Sequence, residues 1–188
     1  MIIARNSTTS DLRAWKLDSP PSASVKSRLV ASPVRALRNL RRALRPGARL
    51  VKTVWRRRGD NPCFHLAELI VKGLVPQENK DNAPTCGPGP FSMADADTLT
   101  SILLAAGFDD VTLTRLELPL RIGRDVDQAI EFALALGPAG EVMRLAGAEA
   151  ERLRPQVMAA LREALTPLAS EAGVFAGSST WLVSARAA

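Results

Sequence analysis

The chain has no tyrosine, one histidine and two cysteines in 188 residues, and only 4% of it is aromatic. Each shortage argues against a class of function. With so few rings there is no stacking platform to alternate with basic residues, as single-stranded nucleic-acid binders require. One histidine, His65, excludes a His-rich metal centre. Cys63 and Cys86 form neither a disulfide framework nor a C-x-x-C site, so free thiols of a reducing compartment are expected. Cys63, His65 and Cys86 do not match a structural zinc site either, because C-x-H spacing is not used there; no metal ligand is assigned. No apolar run approaches the ~20 residues needed to span a bilayer. The start, Met1-Ile2-Ile3-Ala4-Arg5-Asn6, lacks a signal-peptide core. A cytoplasmic protein without a membrane partner is the expectation. Gly87-Pro88-Gly89-Pro90 is not a phosphate cradle, since prolines donate no N–H and no lysine-serine ending follows.

Acidic residues are missing from one end only. Residues 1–58 hold 15 basic and 2 acidic residues, a balance of +13, and residues 59–188 carry −7. Such asymmetry can mark an arm that binds nucleic acid. The plainer reading is a poorly ordered basic leader over 1–31 followed by a helix with a solvated arginine face. The leader is polar and aperiodic, and Ser19-Pro20-Pro21-Ser22 is a loop signature.

What is present is organised around residues 32–55. Ser32 and Pro33 suit a helix start. Val34, Leu37, Leu40 and Leu44 share one face, and Arg35, Arg38, Arg41, Arg42 and Arg45 fill most of the rest. Pro46-Gly47 ends the helix at residue 45, and Leu50 to Trp55 reads as a strand. Phe64 to Leu74 has helical spacing through Leu66, Leu69, Ile70 and Leu74. A loop runs from 75 to 92. Asp95 caps a helix whose inward face is Leu99, Ile102, Leu103 and Ala106, with Gly107 at its end. A strand follows over 111–116. Asp125 caps another helix, ended by Gly137-Pro138. Residues 139–147 form a short helix and 155–169 the last one, with Pro155 in its first turn. Ser178 to Ala185 is a terminal strand.

Leu37, Asn39-Leu40, Ala43-Leu44, Pro46-Gly47 and Leu50 resemble the fifth helix and fifth strand of class I S-adenosylmethionine-dependent methyltransferases. Trp55, Arg56, Asn61 and Pro62 keep the order of that family's strand-five end. Gly89-Pro90-Phe91-Ser92-Met93-Ala94-Asp95 is similar to the entry into its next helix. Leu103, Ala106, Gly107, Phe108 and Val111 look like the helix before strand six, and Ala129 to Pro138 is similar to a later helix in one branch.

This resemblance covers 32–188 and implies the C-terminal half of the family's domain. The fold it implies is α/β, an incomplete Rossmann-like methyltransferase fold of about three strands with five to six helices. Strands five and six would run parallel, with strand seven antiparallel between them. Strand five would then have an open edge, a site of self-association. The resemblance also implies S-adenosylmethionine as cofactor and a small-molecule methyl acceptor. The loops after strands five and six border the acceptor pocket in the family, which makes Trp55, Phe64, His65 and Phe91 the candidate pocket residues. His65 reads first as a surface or loop-anchoring residue; a general base is its alternative, because histidine exchanges protons readily near neutral pH. Asp95, Asp125 and Glu131 read as caps and solvated faces, and Trp55 and Trp181 as core.

One departure outweighs these matches. The family's cofactor half needs a Gly-rich turn after its first strand. No GxGxG occurs, and the stretch before residue 32 is too short for three βα units of ~30 residues each. The chain is then a fragment, a product of a shifted start, or a remnant. No catalytic or cofactor-binding residue is assigned. Methyl transfer, a non-catalytic partner-binding role and nucleic-acid binding stay as alternatives.

Overall fold

The computed structural model describes residues 2–5, 32–76 and 89–188. Residues 1 and 6–31 of the leader assigned to 1–31, and residues 77–88 of the loop assigned to 75–92, Cys86 included, lie outside the described residues. The chain divides into two compact units, residues 1–57, 85–116 and 180–188 forming the first and 58–84 and 117–179 the second. Each has its own buried cluster.

The strands are β1 (Ile2–Arg5), β2 (Arg49–Trp55), β3 (Phe108–Gly123), β4 (Ala169–Ser170) and β5 (Gly173–Ala187). The helices are α1 (Pro33–Arg42), α2 (Pro62–Leu74), α3 (Ala96–Ala105), α4 (Val126–Leu136) and α5 (Pro138–Leu165). The protein is α/β, with five helices among the described residues and an open sheet in the order β1–β2–β5–β3, β4 pairing with β5. β2 is antiparallel to β5, from Arg49 opposite Arg186 to Trp55 opposite Thr180. β2 and β3 are not neighbours, so the strands expected to be parallel form no ladder with each other.

In the first unit, Leu37 is buried and Val34, Leu40 and Leu44 pack beside it, as their spacing requires. Ser32 makes no side-chain cap; its carbonyl accepts from the Ala36 N–H at 3.2 Å. α1 stops at Arg42, three residues earlier than expected. Asp95 does cap α3, accepting from the Thr98 N–H at 2.9 Å. At the other end Gly107 takes φ +88°, a left-handed turn that a side chain resists. Two arginines assigned to the solvated face of α1 finish that end. Arg38 donates twice to the Ala105 carbonyl, at 3.1 and 2.9 Å, and Arg41 donates to the Gly107 carbonyl at 3.1 Å. The Ala105 carbonyl is one that α3 leaves without an intrahelical donor, and the Gly107 carbonyl beyond the helix accepts from the Ala188 N–H as well, at 3.2 Å.

The open edge expected on β2 is covered. β1 pairs antiparallel with it, from Ile2 opposite Lys52 to Arg5 opposite Arg49. This corrects the open-edge expectation for β2. The pairing is made by main-chain groups, which any extended segment can supply, so side-chain pattern does not announce it. The ends of the sheet are β1 and β3, and β3 carries exposed Leu116 and Leu118.

In the second unit, α2 packs on α5 and α4 on α5. The inward face of α2 is Cys63, Ala67, Glu68 and Val71, with Leu66 and Ile70 partly covered. Leu69 and Leu74, expected inside, are exposed. Small residues, not the largest ones, face the neighbouring helix. Asp125 caps α4 through the Gln128 N–H at 2.8 Å. The two last helices foreseen separately are continuous in α5 except at Gly147, whose φ of 54° and ψ of −125° break the helical path. Residues 148–154 stay helical, so Pro155 lies inside the helix and not in its first turn. β3 and β5 are longer than expected, at 16 and 15 residues. No helix among the described residues is long and apolar enough to cross a membrane.

Candidate functional site

The four candidate pocket residues divide two and two between the units. Trp55 ends β2 in the first, and Phe91 lies in the turn before α3. Phe64 and His65 occupy the first turn of α2 in the second unit. Phe64 stacks on Phe132 with ring centroids 5.7 Å apart and so belongs to the packing of α2 against α4. His65 lies beside Glu68, a residue that pattern reading passed over.

Glu68 is 2% exposed on the inward face of α2. Its Oε1 accepts from Arg58 Nη1 at 2.5 Å and from Lys72 Nζ at 2.7 Å. Lys72 stands four residues on, one helical turn away, and Arg58 comes from the short 3-10 turn Arg58–Asp60 that precedes α2. His65, three residues back, brings Nδ1 to 3.6 Å from Oε2. That is beyond hydrogen-bond length, and both atoms are buried without a hydrogen bond. Burial alone would push the Glu68 carboxyl up; the Lys72 and Arg58 charges outweigh it and hold its pKa below the ordinary value. The carboxylate is therefore ionised and committed to two cations. It ties α2 to the preceding turn and gives His65 an anionic neighbour.

The first unit contains a second unusual group. Lys52 is on the inward phase of β2 between Leu50 and Val54, and is 2% exposed. Its Nζ meets the thioether of Met93 at 3.6 Å, and no ion pair among the described residues includes it. Burial lowers its pKa from 10.5 to about 8. Sequence analysis passed over Lys52, and the signal that could have found it is its place in phase with Leu50 and Val54. Near the carboxyl end of β2, the Arg56 guanidinium lies 4.7 Å from the Trp181 ring centre, and Trp181 Nε1 donates to the Ala94 carbonyl at 2.9 Å. Trp181 thus anchors the turn that enters α3.

Two shallow grooves, of about 180 and 360 Å³, run along α4 and α5. They share Leu134 and Arg154, and none of the four candidate pocket residues lines either. Among the described residues no three His, Cys, Asp or Glu side chains converge on a metal position. Among the described residues there is also no glycine cradle for S-adenosylmethionine. The glycines with positive φ, Gly47, Gly107, Gly147 and Gly173, are isolated from one another, and none opens a strand-to-helix turn of successive free amides. No protein-family model and no curated protein matches the chain.

Proposed function

We propose that the chain is the acceptor-side part of a class I S-adenosylmethionine-dependent methyltransferase, serving methyl transfer to a small molecule only together with a cofactor-binding part. The observation that carries this reading is the position of β5. It is last in sequence, yet it inserts between β2 and β3 and runs antiparallel to β2. A final reversed strand inserted between two earlier ones is the arrangement the resemblance implies for strands five, seven and six. The Asn61–Pro62 entry into α2 and the Gly107–Phe108 exit from α3 add support, since both sit at element boundaries as the resemblance requires. The misfit of the glycines to the cofactor is part of the reading, and no chemical step is assigned to this chain alone.

The test is a calorimetric titration of S-adenosylmethionine into the 188-residue protein, with the upstream coding DNA translated in all three frames. No binding at micromolar concentrations is expected from the chain by itself. A Gly-rich strand–turn–helix is expected upstream, and joining that segment to the chain restores binding. Micromolar binding by the chain alone, or upstream DNA without such a segment, overturns the reading.

A further inference from the structure

The pairing of Lys52 with Met93 has a chemical consequence independent of the methyltransferase reading. A thioether sulfur is a weak acceptor, and an ammonium buried against it is poorly compensated. Lys52 is 2% exposed and Met93 7% exposed, and the sulfur is the acceptor that faces Nζ, at 3.6 Å. Leu50 and Val54 flank the lysine along the strand, and no carboxylate pairs with it among the described residues. The site therefore holds a strong donor next to an atom that becomes a strong acceptor on gaining one oxygen.

We propose that Met93 is a site of oxidation by hydroperoxides, and that its sulfoxide oxygen becomes the hydrogen-bond partner of Lys52. In the step, the sulfur lone pair bonds the terminal oxygen of the peroxide and the O–O bond breaks. Sulfur loses two electrons and the peroxide gains them. With hydrogen peroxide, the proton on the transferred oxygen passes to the departing hydroxide, and water leaves. The sulfur and Nζ are 3.6 Å apart, too close to hold an oxygen between them at hydrogen-bond length, so the lysine end swings aside by about 1 Å to take the new oxygen as its acceptor. Sulfoxide formation ordinarily disrupts a core by making an apolar side chain polar. Here the new polar atom meets a donor that lacked a good acceptor, so oxidation is tolerated and strengthens the lysine's charged form. The sulfoxide is chiral, and only the epimer with oxygen toward Lys52 makes the bond.

The test treats the full chain with hydrogen peroxide and reads Met93 occupancy by peptide mass spectrometry. Stability against pH is then followed for oxidised and untreated protein. Oxidation is expected to move the Lys52 titration up from about 8 by about one pH unit or more. The Lys52→Leu variant is expected to lose stability on Met93 oxidation, whereas the natural chain keeps its denaturation midpoint. Met93→Leu is expected to show no peroxide-induced movement of the titration. The proposal is overturned if Met93 stays reduced while Met143 and Met158 are oxidised. It is equally overturned if the titration does not move, if it moves as far in Met93→Leu, or if oxidation costs the natural chain and Lys52→Leu the same stability.

Discussion

Asn61 Oδ1 accepts a hydrogen bond from the backbone N–H of Ser179 at 2.8 Å, and both residues are buried, at 0% and 1% exposure. Asn61 precedes the first turn of α2, yet its side chain does not cap that helix. It reaches across to β5 and joins the start of α2 to a strand 118 residues further on. The Asn-Pro pair therefore has two jobs, Pro62 opening the helix and Asn61 satisfying a strand amide.

Asn61→Ala leaves that buried amide without this acceptor. A loss of about 1–3 kcal/mol in unfolding free energy is expected, the cost of removing one partner of a buried hydrogen bond. Urea denaturation of the variant checks it. A change within about 0.5 kcal/mol, the size of an ordinary surface substitution, contradicts the assignment.

Lys52 should make the protein more stable in mild alkali. Its folded pKa is about 8 against an ordinary 10.5, so between those values the unfolded chain binds more protons than the folded one. Stability then rises with pH across that window, and below about 8 the penalty is complete, amounting to about 3 kcal/mol. Lys52→Leu should recover much of this at neutral pH and remove the rise. No tyrosine titrates in the window, because the chain has none. Cys63 opposes the trend from above, since burial pushes its thiol from 9.0 to about 11, and stability falls with pH over that range. The difference between the natural chain and Lys52→Leu isolates the lysine. A difference independent of pH from 8 to 10.5 contradicts the picture.

Glu68 should give a rise of stability with pH as well, but in acid. Its folded pKa is held below the ordinary 4.5, so its contribution is present above that value and is lost as pH falls through the folded pKa. Glu68→Gln keeps the shape but loses the ion pairs to Arg58 and Lys72. Both cations are partly exposed and can rehydrate, so the expected cost is about 1–3 kcal/mol at neutral pH. The cost should shrink toward zero as pH drops below 4.5. Thermal midpoints of both proteins over that range check it, and parallel curves reject it.

Much of the first unit could be read in advance because its signals are local. Leu37, Leu99, Leu103 and Phe108 are buried where spacing put them, and Asp95 caps as its position suggested, as Asp125 does in the second unit. α2 misled because hydropathy ranks leucine above alanine. Leu69 and Leu74 are outside, and Cys63, Ala67 and Val71 meet α5, where small side chains allow close approach. The candidate pocket residues were named by resemblance, and two of them have well-defined packing roles here. Phe64 is stacked on Phe132, and His65 stands beside a carboxylate that periodicity would have assigned to solvent.

The sequence by itself determined where α1, α3 and α4 begin, which strands are apolar on one side, and that no glycine-rich turn is present. Those features depend on neighbours within a few positions, where backbone sterics and side-chain spacing decide. Only the tertiary structure decided that β1 covers β2, that β5 stands between β2 and β3, and that Lys52 and Glu68 are buried with such different company. Main-chain ladders carry no side-chain signature. The cost or comfort of a buried charge is likewise set by what the fold brings beside it, a sulfur for Lys52 and two cations for Glu68.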